Sequence, residues 1–347
     1  MIRFLLSRLL TLLVTAFALT FIVFFLTNLE PSLEKIAKSE IGTRVSDAEV
    51  ESWLDRNGYG EPMLVRYGEW LGVVPGWTHT VDGEVVAGRC EVPGGTVEAS
   101  AFCGILQGDW GWSTVFRRDV AEIIGRSLAL TGKLMFWVMM VMVPGALILG
   151  VLAGMREGSK LDRSLSTVSI LTTATPEYVS GVVFIAVFAS TAVGLRWFNG
   201  SATSAMEDAT FENFTLPVLT IALYGMGYIA RMTRASMTEV MTAQYIRTAR
   251  LKGVSFPKIV LRHALRNALI APFTVIMLQF PWLLNGVVIV ETLFNYKGFG
   301  WTLVQAAGNN DIELLLGVSV VSVVVVLLTQ LISDIGYVYL NPRIRVS

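Results

Sequence analysis

The chain has 347 residues, of which 53% are hydrophobic and 16% charged, and its mean hydropathy is +0.60. A water-soluble domain of this size does not carry so apolar a composition, so lipid must be much of the solvent. Formal net charge is zero, which removes any global electrostatic argument for nucleic acid and makes the distribution of positive charge the informative quantity.

Apolar stretches long enough to cross a bilayer, roughly 20 residues each, predict an all-α integral membrane protein of about six transmembrane helices. The first runs from about Leu9 to Leu29, behind Arg3 and Arg8. Ala16-Phe17-Ala18 resembles a signal-peptide cleavage site, but the apolar run continues through Leu26. That exceeds the roughly 7–15 residues of a signal h-region, so an uncleaved helix within residues 1–29 is expected.

Residues 30–125 form a long polar segment, read as a small external subdomain. Asp47–Leu54 reads as a short helix with Ser46 as N-cap and Glu49 three residues on, followed by the turn Asn57-Gly58. Trp77–Gly108, rich in Gly, Val and Thr, reads as short strands or loops. Both cysteines, Cys90 and Cys103, fall here. An oxidising compartment permits a disulfide closing a loop of about 14 residues and stabilising it by roughly 3 kcal/mol. Two free thiols are the alternative, since spacing alone does not bring two Cα atoms within bonding range. Trp110 and Trp112 fit interfacial anchors or a docking surface for an external protein.

Further spans are expected at about Leu128–Met155, Leu165–Val193, Phe214–Ala230, Ala271–Val290 and Glu313–Tyr337, within a core of residues 126–338 followed by a tail, 339–347. Pro176 and Glu177 interrupt the third span, and Pro217 stands near the start of the short fourth. Proline is tolerated in membrane helices where neighbours satisfy the freed carbonyl.

Between the fourth and fifth spans lies the loop 231–266, patterned as helix. Met237–Lys252 contains no Gly or Pro, Gly253 stands where a helix would end in a left-handed cap, and Ser255-Phe256-Pro257 restarts a second helix. Ile246, Ala249 and Gly253 recur at i, i+3 and i+7, giving a small-residue face flanked by Arg247, Arg250 and Lys252. Such a unit suits a plug that docks into a cytoplasmic partner and carries rigid-body motion into the membrane helices. A basic helix lying on anionic lipid fits the same residues.

Charge selects the orientation. With the amino terminus inside, the cytoplasmic segments hold Arg156, Lys160 and Arg163, then Arg231, Arg234, Arg247, Arg250, Lys252, Lys258, Arg262 and Arg266, then Arg343 and Arg345. The short loops on the other side carry Arg196 and Lys297. The positive-inside rule therefore puts both termini in the cytoplasm.

Three carboxylates border the spans: Glu177, Glu291 and Asp334. An intramembrane carboxylate is by default a functional candidate, and Glu291 is the candidate for lining a solute path or gate. Hydrogen bonding between helices is the other reading for all three. Gly154–Lys160 resembles a P-loop but lacks the adjacent Gly-Lys-Ser/Thr that cradles phosphates, so ATP binding is not expected. His79 and His263 fall on opposite sides, no His/Cys spacing suits a metal, and no GxSxG or HExxH occurs. No catalytic residue, cofactor or metal is expected in this chain.

Tyr245-Ile246-Arg247-Thr248-Ala249-Arg250-Leu251-Lys252-Gly253, followed by Leu261-Arg262-His263-Ala264-Leu265-Arg266-Asn267-Ala268, resembles the cytoplasmic "EAA" loop of binding-protein-dependent ABC importer permeases, in the dipeptide/oligopeptide/nickel version. Arg66-Tyr67 with Trp70-Leu71, Gly108-Asp109-Trp110-Gly111, Val290-Glu291-Thr292 with Gly298-Phe299-Gly300, and Asn341-Pro342-Arg343-Ile344-Arg345 extend the likeness over nearly the whole chain. The chain departs from the family in reading Arg247-Thr248-Ala249 for Glu-Ala-Ala, in Asn341 for Asp, and in an insertion of about 30 residues around Val73–Gln107. The resemblance implies the first permease of a type I importer in a bacterial inner membrane. Its implied partners are a second homologous permease, two cytoplasmic ATPase subunits that bind ATP and magnesium, and an external binding protein delivering a peptide or similar solute. By the same likeness Tyr245–Gly253 would be the coupling helix.

Overall fold

In the computed structural model, residues 2–42, 44–81, 84–90, 102–191 and 195–340 are described. In chain order the helices are α1 (Ile2–Thr27), α2 (Glu30–Ile41), α3 (Asp47–Arg56) and α4 (Met63–Leu71). A hairpin, β1 (Thr78–Val81) and β2 (Glu84–Gly88), and a second small pair, β3 (Trp112–Ser113) and β4 (Arg118–Asp119), lead into α5 (Val120–Gly154). Then come α6 (Lys160–Ala174), α7 (Glu177–Phe184), α8 (Phe211–Thr242), α9 (Gln244–Leu251), α10 (Phe256–Lys258), α11 (Leu265–Ala268), α12 (Ile270–Leu293), α13 (Phe299–Gly308) and α14 (Ile312–Leu340). The expected tail, 339–347, lies outside the described residues from position 341 onward.

Local chemistry sets several of these boundaries. Ser46 opens α3 with a capping box: its hydroxyl accepts from the Glu49 N–H at 3.4 Å, and the Glu49 carboxylate accepts from the Ser46 N–H at 2.8 Å. Thr210 and Asn213 repeat the arrangement at the start of α8. Pro176 is the N-cap of α7, because the residue before a proline resists helical backbone and proline itself lacks a donor.

Four helical stretches are long and apolar enough to cross a membrane unaided: Leu6–Thr27, Val120–Gly154, Phe211–Thr242 and Ile312–Gly336. Two more candidates are bent pairs, Lys160–Ala174 with Glu177–Ala189 at 102° and Phe256–Ala268 with Ile270–Gln279 at 52°. The third span, expected over Leu165–Val193 with Pro176 interrupting it, falls on the first of these pairs, where the chain turns sharply at Thr175-Pro176. The fourth, expected to be short, is a 32-residue helix that continues well past Ala230.

The chain divides into two compact units. One comprises Leu9–Arg126 with Thr302–Val324. Its core is aromatic: the Tyr67 ring of α4 meets Phe17, Phe21 and Phe24 of α1 edge-on at 5.6, 5.2 and 5.3 Å and stacks on Trp70 at 5.7 Å. The Tyr67 hydroxyl shares a 2.8 Å hydrogen bond with Thr20, and Arg66 donates to Asn28. The Arg66-Tyr67 and Trp70-Leu71 pairs are thus the pin that fastens α4 to α1. The subdomain expected over 30–125 has no core to itself, since α1 and the start of α14, through Ile312 and Leu316, complete it. Cys90 and Cys103 are joined in a disulfide.

The other unit comprises Met1–Arg8, Ser127–Trp301 and Val325–Ser347. Helix α8 is its centre: two-thirds of its most apolar window is buried, against 28% for α5. It lies against α6, α7 and α12, and its close approach to α6 needs Gly227, where a Cβ would sit 2.6 Å from the Ser169 carbonyl oxygen. The outward rows of α5, such as Phe136, Met140 and Ile148, are more than half exposed. Apolar rows of this kind suit lipid rather than water.

Candidate coupling surface

The candidate site grows out of the end of α8. The uninterrupted helix expected over Met237–Lys252 is corrected: α8 stops at Thr242, Ala243 is extended at φ −65°, ψ 149°, and α9 begins at Gln244. The break lets α9 leave the α8 axis and turn Ile246 inward. Ile246 has 0% exposure and packs with Met237, Ile259, Val260, Ala264 and Ala268. Ala249 is half-buried against the same cluster. The face defined by Ile246 and Ala249 therefore belongs to the chain's own core, because burying an isoleucine side chain is worth about 1.5–3 kcal/mol and the bend makes that burial available.

What α9 shows to solvent is the opposite side. Tyr245, Arg247, Thr248, Arg250, Lys252 and Gly253 are exposed, and so is Leu251, at 81%. A leucine so bare at a helix tip was not singled out in the sequence, where it reads as one more apolar position among basic neighbours. The helix ends in a full Schellman motif: Gly253 N–H donates to the Arg250 carbonyl at 3.0 Å and Val254 N–H to the Ala249 carbonyl at 3.2 Å. Gly253 sits at φ +73°, the left-handed conformation expected of it. Ser255 then precedes α10, with Pro257 in its first turn, and a π-helical turn, Ile259–Ala264, leads into α11.

This tip is bolted to the membrane helices. Tyr245 accepts a 2.9 Å hydrogen bond from Asn267, and Ser236 donates to the Ala268 carbonyl at 2.8 Å. Two residues before Ser236, the Arg234 guanidinium forks onto Asp162 of α6 through contacts of 2.5 and 2.8 Å. Asp162, only 2% exposed, also accepts from the Gly158 N–H at 2.8 Å and the Ser166 hydroxyl at 3.1 Å. The P-loop-like stretch Gly154–Lys160 thus presents an N–H to the chain's own carboxylate. Neither Asp162 nor Arg234 stood out in the sequence, where both read as ordinary loop charges.

Glu291 lies elsewhere in the same unit. It is 0% exposed; its carboxylate accepts from the Thr131 hydroxyl and from the Trp301 N–H at 3.0 Å, while Thr131 accepts from the Phe299 N–H at 2.7 Å. This net ties the end of α12 and the start of α13 to α5, so the Val290-Glu291-Thr292 and Gly298-Phe299-Gly300 segments meet there. Of the two readings given for Glu291, this burial and hydrogen bonding are those of a contact between helices. Asp334 forms a 3.4 Å ion pair with Arg8, and Glu177 sits in the first turn of α7.

The family model described as "Binding-protein-dependent transport system inner membrane component" matches residues 146–346. The oligopeptide transport system permease protein AppB of Bacillus subtilis (strain 168) is 30% identical over 308 residues, 87% of each chain. The glutathione transport system permease protein GsiC of Escherichia coli (strain K12) is 33% identical over 240 residues, covering 69% of this chain and 76% of that one. Among solved structures, the MetNI methionine ABC transporter in an inward-facing conformation gives a TM-score of 0.47 at 19% identity, covering 62% of this chain and 94% of that chain. With the family model spanning residues 146–346, this chain belongs to the inner-membrane components of binding-protein-dependent transport systems, and it is a permease subunit of an ABC importer.

Proposed function

We propose that this permease carries a peptide or similar small solute, delivered by an external binding protein, along a pathway built with a second homologous permease. Two cytoplasmic ATPase subunits supply ATP and magnesium chemistry, and this chain supplies none. Similarity to relatives named for oligopeptide and glutathione transport supports the peptide class. Both termini lie in the cytoplasm, which puts the α9 tip on the ATPase side.

The observation that carries the coupling role is the 81% exposed Leu251 at a rigid tip ringed by Arg247, Arg250 and Lys252. An apolar anchor within a basic rim is the form of a docking knob, and a few such anchors dominate interface energies. The bolts from α9 to α11 and from Arg234 to Asp162 are the route by which movement of the knob would turn α6 and α8 together.

Leu251→Asp tests this, since so exposed a side chain contributes little to the chain's own fold. The variant is expected in the membrane at native level, with co-purification of the ATPase subunits and uptake both reduced at least tenfold. Unchanged ATPase recovery would sink the docking role. Should the variant instead lose affinity for anionic vesicles while keeping the ATPases, α9 is an interfacial lipid-binding helix.

A further inference from the structure

Inside the unit made of Leu9–Arg126 and Thr302–Val324 lies a cavity of about 670 Å³. Its size falls within the roughly 300–1,000 Å³ of small-molecule sites. Trp53, Trp70, Trp77 and Trp112 line it, and Trp53 stacks on Tyr59 at 5.9 Å. Among these aromatic rings stand charges of both signs, Arg66 and Arg89 with Glu69, Asp109, Asp119 and Glu313.

The carboxylates outnumber the guanidiniums, so what matters is how each arginine is paired. Arg66 donates to Asn28 and lies 5.0 Å over the Tyr59 ring, so it is engaged. Arg89 and Glu313 make only a long 3.8 Å contact, and among the described residues Arg89 Nε and Glu313 Oε2 have no hydrogen-bond partner. A buried donor and a buried acceptor left unmade each cost about 1–3 kcal/mol, so the pair is poorly satisfied as it stands, and both residues line one cavity. Burial also pushes the Tyr59 hydroxyl up to about 12 and holds the Glu69 carboxyl above the usual carboxylate range, as poorly hydrated surroundings require.

We infer that this cavity is a binding site for a free zwitterionic solute of short-peptide size, with its anionic group at Arg89 and its N–H group at Glu313. A simple anion would meet Glu69, Asp109, Asp119 and Glu313, and a simple cation Arg66 and Arg89, whereas a zwitterion answers both ends of the loosely matched and partly exposed Arg89–Glu313 pair. The aromatic rings supply apolar contact for the rest of the molecule. The Cys90–Cys103 disulfide borders the cavity, and Cys90 is the chain neighbour of Arg89. The inserted external segment would then hold its own solute site, apart from that of any separate binding protein.

The choice of a peptide probe rests on the import reading, but binding is measured here without ATP, partners or transport, so each reading can fail alone. The full chain is placed in nanodiscs of phosphatidylglycerol, which has no zwitterionic headgroup, and titrated by calorimetry with trialanine and with N-acetyl-trialanine amide. Saturable trialanine binding is expected, at least tenfold tighter than that of the blocked peptide, which needs no variant to observe. Arg89→Met and Glu313→Gln should each weaken it at least tenfold in protein that retains the disulfide. Absence of binding, equal binding of the blocked peptide, or undiminished binding in both variants would overturn the site. Loss of trialanine binding when phosphatidylethanolamine is added would give the cavity to a lipid headgroup and overturn the free-solute assignment.

Discussion

At the scale of single residues, two buried carboxylates set the largest energies, and each has a partner whose removal can be measured. Asp162 is 2% exposed and takes both arms of the Arg234 fork, while the guanidinium is itself about one-third exposed. Breaking a buried pair by deleting one member costs about 3–5 kcal/mol, and the partial exposure of Arg234 brings the expected loss to about 2–3 kcal/mol. Arg234→Met should therefore lower the thermal stability of the detergent-solubilised chain clearly, and Asp162→Asn with Arg234→Met should recover part of the loss. Strict additivity in that double-mutant cycle would show the fork to be unimportant. Glu291 makes a contrasting case, because its partners are the Thr131 hydroxyl and the Trp301 N–H. Glu291→Ala orphans them in a buried place, at an expected cost of about 2–4 kcal/mol, whereas Glu291→Gln keeps an acceptor and should cost about half as much. Equal melting temperatures for the two variants would remove Glu291 from the role of structural knot.

At the scale of elements, α9 depends on two departures from helical backbone, Ala243 at its start and Gly253 at its end. Gly253→Ala forces a Cβ into the left-handed region, an expected cost of about 1–2 kcal/mol that shortens the helix end without displacing it. Gly253→Pro cannot adopt φ +73° at all and removes the N–H that bonds Arg250. It should abolish uptake while membrane insertion, followed by fractionation, stays native; normal uptake by the proline variant would count against the coupling role of this tip. These two departures also mark how far the sequence could be read. Gly253 announced itself because only glycine takes that conformation readily, as did Ser46 with Glu49, where two side chains and the local backbone suffice. The break at Ala243 had no such marker: nothing in Thr242-Ala243-Gln244 forbids helix, and the bend exists so that Ile246 can join a cluster built partly from residues 259–268. Pro176 was visible, but its 102° consequence depends on packing rather than on the proline alone. The Asp162–Arg234 fork joins residues 72 positions apart, and the Arg89–Glu313 pair is more distant still, so no periodicity could have matched them. Leu251 was hidden for the opposite reason, since its importance lies in what it fails to touch.

At the scale of the whole molecule, the two bent pairs decide the number of crossings, and parity makes that testable. Four straight helical stretches alone, or six crossings with both bent pairs, return the terminus to its starting side, whereas one crossing pair and one re-entrant pair would leave the termini on opposite sides. Charge adds the sign. The α9–α11 region carries Arg247, Arg250, Lys252, Lys258, Arg262 and Arg266, while the short loops expected on the opposite side carry Arg196 and Lys297, a bias that favours a cytoplasmic α9 tip. Both native cysteines are tied in the disulfide, so a single introduced cysteine reports its own side of the membrane to an impermeant maleimide. A cysteine at Leu106, 68% exposed in the external segment, should label in intact spheroplasts. One at Leu251 should label only after the membrane is opened, as should one at Arg3 near the amino terminus and one at Ser347, the last residue. Labelling of Ser347 from outside with Arg3 protected would make one bent pair re-entrant and the number of crossings odd. Labelling of Leu251 from outside would be more damaging, because a tip facing away from the cytoplasm cannot receive an ATPase, and the coupling role would fall with the orientation.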